Sequence, residues 1–112
     1  MSKIDFQNVH TMIGADADME GSIKLEGGLI VYGKIKGDVI TKGPVRISQS
    51  AKITGNITAS DIQVGGIISG NITVDDRIVL GSQSTVKGDM VYRRLYIEEG
   101  AKLSGRCDFT SE

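Results

Sequence analysis

Apolar and polar positions alternate along this chain in short bursts, and the bursts recur. The unit is an aliphatic residue, any residue, glycine, a small or polar residue, then another apolar residue. It occurs as Met19-Glu20-Gly21-Ser22-Ile23, Ile35-Lys36-Gly37-Asp38-Val39 and Ile53-Thr54-Gly55-Asn56-Ile57. It returns as Ile68-Ser69-Gly70-Asn71-Ile72, Val86-Lys87-Gly88-Asp89-Met90 and Leu103-Ser104-Gly105-Arg106-Cys107. The motif glycines stand 16, 18, 15, 18 and 17 residues apart. Between them lies a second alternating stretch: Leu29-Ile30-Val31, Val45-Arg46-Ile47, Ile62-Gln63-Val64, Ile78-Val79-Leu80 and Leu95-Tyr96-Ile97. A corner follows each stretch. It is short at Tyr32-Gly33-Lys34 and Gly65-Gly66-Ile67, and long at Ser48–Lys52, Gly81–Thr85 and Glu98–Lys102. Corner length absorbs the uneven spacing and leaves the apolar columns in register.

A period-2 repeat of about 17 residues is too short for a helix pair or a propeller blade. It suits one winding of a parallel β-helix, with three short strands and three corners. Such windings stack at about 4.8 Å per step and align like residues in columns. The columns are present. Two residues after the motif glycine stand Ile23, Val39, Ile57, Ile72, Met90 and Cys107; two before it stand Met19, Ile35, Ile53, Ile68, Val86 and Leu103. Glycine admits a corner where a Cβ would clash or where φ is positive. The Asp or Asn behind it (Asp38, Asn56, Asn71, Asp89) can bond corner backbone groups. The reading is an all-β, single-domain parallel β-helix of about six windings and triangular cross-section. It spans residues 13–109, behind a short flexible N-terminal tail (1–12) and ahead of a C-terminal tail (110–112).

Composition agrees. Aromatics make up 4% of the 112 residues and Trp is absent, so the core must be built from Ile, Val and Leu, which favour strands. Fifteen glycines disfavour helices. A formal net charge of −1 supplies no global attraction to nucleic acid or to an anionic membrane. The single cysteine cannot form an internal disulfide. Met1–Asp5 has no apolar run behind its charge and no segment is long and apolar enough to span a bilayer, so the expected compartment is the cytoplasm.

The ends of such a stack carry the functional expectation. The first and last windings of a β-helix present unpaired backbone groups and an open apolar core, which monomeric solenoids hide under polar caps. No amphipathic capping helix is visible at either end. The column four residues after the motif glycine reads Leu25, Thr41, Ala59, Val74, Tyr92 and Phe109. Phe109 is therefore expected to begin a further winding that the chain never completes. A second molecule stacked there would bury it, and a contact that closes no ring propagates into a filament. The expected polymerisation residues are Ile13, Met19 and Ile23 at one end and Leu95, Ile97, Leu103 and Phe109 at the other.

With these windings, the opening Thr11-Met12-Ile13-Gly14 and the closing Glu98–Cys107 segment, the chain resembles the bactofilins over about residues 11–109. The resemblance implies a right-handed β-helix in a bacterial cytoskeletal protein that forms filaments without nucleotide, often at the inner face of the cell membrane. It also implies a scaffold role in cell shape, with cell-wall enzymes or chromosome-positioning proteins as partners. A second reading is a discrete oligomeric adaptor that binds a wall enzyme or DNA through its faces.

A third reading, a hexapeptide-repeat acyltransferase, needs a six-residue period and usually a histidine base on the coil. The spacings break that period, and the only histidine, His10, sits in the tail and is read as solvated. Cys107 shares a column with Ile72 and Met90 and is read as a buried small apolar residue. No cysteine–histidine cluster suits zinc. The acidic pairs match no calcium-binding repeat, and Gly27-Gly28 and Gly65-Gly66 lack the lysine and helix of a phosphate loop. No catalytic residue, cofactor or metal is expected. Lys34, Lys52 and Lys102 are expected along one edge of the stack, although the net charge argues against nucleic acid. Lys3, Ile4 and Phe6 form a candidate membrane contact that a filament would strengthen by avidity.

Overall fold

The computed structural model describes residues 11–109, all strands and corners and, among those residues, without a helix. Alternation with period two and repeated glycine corners yields strands of three or four residues, each turning sharply into the next. Eighteen strands form three parallel sheets of six, and every third strand joins the same sheet. The first sheet is built from Thr11–Ile13, Leu29–Val31, Val45–Ile47, Ile62–Val64, Arg77–Leu80 and Arg94–Ile97. The second contains Asp18–Glu20, Lys34–Lys36, Lys52–Thr54, Ile67–Ser69, Thr85–Lys87 and Lys102–Ser104. The third contains Ile23–Leu25, Val39–Thr41, Ile57–Ala59, Ile72–Val74, Met90–Tyr92 and Cys107–Phe109. The product is a triangular parallel β-solenoid of six windings. Its first strand opens at Thr11, two residues before the expected boundary at 13, because Thr11 and Met12 pair in register with Leu29 and Ile30.

The columns expected from the spacing are the registers observed. Met19 pairs with Ile35, Ile35 with Ile53, Ile53 with Ile68, Ile68 with Val86, and Val86 with Leu103. The column from Ile23 to Cys107 closes in the same way. Four long corners, each closed by a backbone bond three residues back, occur at Gly14–Ala17, Ser48–Ala51, Gly81–Ser84 and Glu98–Ala101. The first of these was not among the expected long corners. Tyr32-Gly33 and Gly65-Gly66 turn in fewer residues, and these short corners give the spacings of 16 and 15.

Inside, the solenoid is apolar: Ile35, Ile53, Ile57, Ile62, Ile68, Ile72, Ile78, Leu80 and Met90 are all fully buried. Removing apolar surface of this kind from water contributes roughly 25 cal/mol per Å². The two buried polar side chains are satisfied, Thr41 Oγ donating to the Gly27 carbonyl and Ser84 Oγ to that of Gly81. Outside, the residue behind each motif glycine forms a second ladder. Asp38 Oδ1 accepts from the amide of Asn56 at 3.1 Å, and Asn56 Oδ1 from that of Asn71 at 3.0 Å. Asn71 Oδ1 then accepts from Asp89 at 2.9 Å and Asp89 Oδ1 from Arg106 at 3.0 Å. The motif glycines are required because neighbouring windings approach closely. A Cβ on Gly70 (φ +150°) would collide with the carbonyl oxygen of Gly55, whereas one on Gly21 (φ +113°), in the first winding, meets nothing.

Gly70→Ala is therefore expected to destabilise the chain by more than about 3 kcal/mol, combining backbone overlap with a strained φ. Gly21→Ala is expected to cost about 1 kcal/mol, from φ alone. Thermal unfolding followed by circular dichroism checks both, and equal losses at the two positions would contradict the close-approach account.

Candidate polymerisation interface

Each sheet has two outer strands, so the stack ends in two open faces. One is formed by Thr11–Ile13, Asp18–Glu20 and Ile23–Leu25, the other by Arg94–Ile97, Lys102–Ser104 and Cys107–Phe109. The hydrogen bonds of these strands run inward: Thr11 N–H donates to Gly28 O, Gly21 N–H to Lys36 O, Lys102 N–H to Ser84 O and Glu98 N–H to Leu80 O. In a parallel pair the backbone groups of alternate residues point to opposite neighbours. Among the described residues, the outer strands have a neighbour on one side only, so half of their donors and acceptors face away from the stack.

Side chains follow the same rule. Within most columns, burial is complete in the middle and falls at the ends. Ile68 is 0% exposed, while Met19 at the head of its column is 37% exposed and Leu103 at its foot is half-buried. Leu80 is 0% exposed, and Ile97, its partner one winding on, is 51% exposed. Phe109 is 66% exposed, with Tyr92 half-buried beneath it. Ile23 and Leu95 are half-buried against the core. The structure thus brings Met19 and Ile23 together at one face, and Leu95, Ile97, Leu103 and Phe109 at the other.

Three expectations are corrected. Ile13 lies on the first winding but is buried, so it supplies little open surface. Phe109 does not begin a seventh winding: it ends the sixth, as the last residue of the outer strand of the third sheet. Cys107 keeps its inward column, paired with Met90, but it is exposed because, among the described residues, no further winding covers it. Cys107 and the half-buried Leu25 therefore belong to the end faces, although neither was expected there. The column argument that singled out Phe109 applied equally to Cys107, the last member of its own column. Beside Cys107, burial and then the neighbouring thiol push the Tyr92 phenol above its ordinary range.

Lys3, Ile4, Phe6 and His10 lie outside the described residues, as does the tail 110–112. Among the described residues, no group of three or more His, Cys, Asp or Glu is placed to hold a metal ion. Two open concavities, of about 420 and about 640 Å³, lie over the outward face of the first sheet, both with Ile30, Arg46, Gln63 and Val79 in their linings. Gly65-Gly66 is a tight corner rather than a phosphate cradle: a Cβ on Gly66 would strike the carbonyls of Ala51 and Ser48. Among the described residues no helix is long and apolar enough to cross a membrane.

Comparison with known proteins places this architecture. A family model described as "Bactofilin: Polymer-forming cytoskeletal" matches residues 11–108. The chain is 27% identical over 99 residues to bactofilin BacO of Myxococcus xanthus, covering 88% of this chain and 79% of that one. It is 24% identical to BacP of the same organism, again over 99 residues and 88% of this chain but 41% of the relative. Among solved structures, the cryo-EM reconstruction of Thermus thermophilus bactofilin double helical filaments superposes with a TM-score of 0.86 at 20% identity. That match covers 90% of this chain and all of the other. The family match extends over nearly every winding described above, and the chain belongs to the bactofilins, the polymer-forming cytoskeletal proteins.

Proposed function

We propose that this bactofilin assembles end to end, without nucleotide, through the two open faces of its solenoid. The resulting filaments would serve as a scaffold for cell shape or for wall-associated proteins at the inner face of the membrane. The observation that carries the reading is the loss of burial at the ends of the inward columns, Ile13 excepted, where Met19, Ile97, Cys107 and Phe109 are exposed. Stacking another molecule on these faces buries that apolar area and gives the outer strands the partners that inner strands already have. The protein of Thermus thermophilus with the same fold was imaged as double helical filaments, which supports the assembly reading. Nucleotide independence is supported by the corners at Gly27-Gly28 and Gly65-Gly66, neither of which opens a helix that could receive a phosphate.

Phe109→Arg is expected to place a charge in the junction and abolish filaments, scored by negative-stain electron microscopy without nucleotide. Because Phe109 is exposed in the single chain, the melting temperature should stay within a few degrees of the parent. Filaments of normal length from this variant would contradict the interface. Cys107 offers an independent reading. Its alkylation by a maleimide is expected to be fast in the assembly-blocked variant and at least about tenfold slower in filaments, where the junction excludes reagent. Equal rates would place the end face outside the contact.

A further inference from the structure

Of the three outward faces, that of the first sheet is the most apolar. Its outward column runs Met12, Ile30, Arg46, Gln63, Val79 and Tyr96, one residue per winding and in register throughout. Met12 and Tyr96 are 64% and 49% exposed, and Ile30 and Val79 are half-buried. The third sheet instead turns Lys24, Thr58, Thr73 and Asp108 outward. The second carries Lys34, Lys36, Lys52, Lys87 and Lys102, with Asp18 and Glu20 beside Lys34 and Lys36. From either end, the first-sheet column has the same order: two apolar residues, two polar, two apolar. The charges near its centre are incompletely matched within the chain. Arg46 is exposed and takes part in none of the four ion pairs among the described residues. Asp61, at the corner beside the column, has an Oδ1 without a hydrogen-bond partner, and the Nε of Arg77 stands 3.9 Å from it.

We propose that this face is a side contact with a second copy of this chain, the two stacks running antiparallel. A two-fold axis along the strands, between the third and fourth windings, sets Met12 against Tyr96 of the copy, Ile30 against its Val79 and Arg46 against its Gln63. Each apolar group then meets an apolar group, with a thioether on an aromatic ring at both ends. Each guanidinium meets an amide oxygen that can accept from it. Pro44 aligns with Asp61 on the adjacent winding, so the same rotation brings the copy's Pro44 opposite Asp61. The copy's Arg46 is two residues further along that strand, about 7 Å away, which an arginine side chain spans. Both incompletely matched charges thereby gain a partner. At the opposite corner Tyr32, which is exposed, faces the Gly81-Ser82 corner of the copy, and both corners line the smaller concavity. A parallel, in-register contact would set Arg46 against Arg46 and is disfavoured. The face is about 24 Å tall, five steps of about 4.8 Å, and about 10 Å wide along each strand. With its corners it covers roughly a few hundred Å², less than the roughly 800 Å² per partner of a stable complex. Single chains are therefore not held together by it, whereas a filament repeats the contact with every protomer. The proposal rests on the filament reading for this avidity alone. The contact lies across the stack axis and leaves the axial rise unchanged.

Two measurements test the face. Negative-stain electron microscopy of the full chain is expected to show paired filaments. The double change Ile30→Lys with Val79→Lys is expected to lower the paired fraction at least about tenfold while single filaments persist. Circular dichroism should find this variant folded, since both side chains point away from the core. Filaments of the variant that remain paired would overturn the assignment, as would a parent whose filaments are all single. Orientation is read by oxidising Ile30→Cys and Val79→Cys chains, each alone and mixed, with the joined peptides identified by mass spectrometry. A link between positions 30 and 79 is expected in the mixture, and no link of 30 to 30 or of 79 to 79 in the separate variants. Like-to-like links would overturn the antiparallel arrangement. The same samples keep the two readings apart. Filaments without the link from 30 to 79 would overturn the side contact and leave end-to-end assembly standing. The link without filaments would support the side contact and count against end-to-end assembly.

Discussion

The strands in the interior of this molecule find their backbone partners in the windings above and below them. In a globular sheet most strands find partners within a closed fold, and edges are few and guarded. Here the pairing direction is the axis of the stack itself. Three sheets extend in parallel, and each added winding satisfies the one beneath while exposing its own outer groups. The inward columns follow the same constraint, since most side chains in them are fully buried only where windings stand on both sides, Ile13 in the first winding being the exception. The zero exposure of Ile53 and Ile68 and the open surface at Ile97 and Phe109 are two consequences of one geometry.

That constraint links the local chemistry to assembly. The close approach of windings forces glycine at positions such as Gly70, where the carbonyl of Gly55 occupies the space of a Cβ. The same approach lets one Asp or Asn side chain reach the amide of the next winding, so the Asp38–Asn56–Asn71–Asp89 ladder reinforces the stack from outside the core. At the final winding the series ends in Arg106, whose amide is held by Asp89 but whose side chain offers no acceptor in return. The end winding thus receives reinforcement without passing it on. The inward columns left open on it are apolar: Ile97, Cys107, Phe109 and the half-buried Leu95 and Leu103.

Most of the fold was legible in the sequence because a solenoid repeats its evidence. One Ile-x-Gly-Asn-Ile unit is weak, but six in register fix the column, the corner and the period together. The details that escaped were those where a residue's environment depends on its place in the stack rather than its place in the repeat. Cys107 occupies the same column as Met90, yet it is exposed because it stands in the last winding among the described residues. Phe109 looked like the start of an unfinished winding because the glycine motif was counted as the beginning of each unit; the sheets show it to be an end. Ile13 was placed at the open face by its position in the chain, yet it is buried. The lysine face was foreshadowed by Lys34, Lys52 and Lys102. That Lys36 and Lys87 share this face, and that Asp18 and Glu20 stand beside Lys34 and Lys36 on it, needed the register between windings.

The most direct measurement of the central claim is the axial repeat of the assembled polymer, from fibre diffraction or cryo-electron microscopy of filaments. End-to-end stacking predicts a strong reflection near 4.8 Å along the filament axis and a subunit rise of about 29 Å, six windings at that step. A strand spacing that lies across the axis, or a rise set by the width of the triangle rather than its height, would mean that the molecules associate side by side, and would contradict the account.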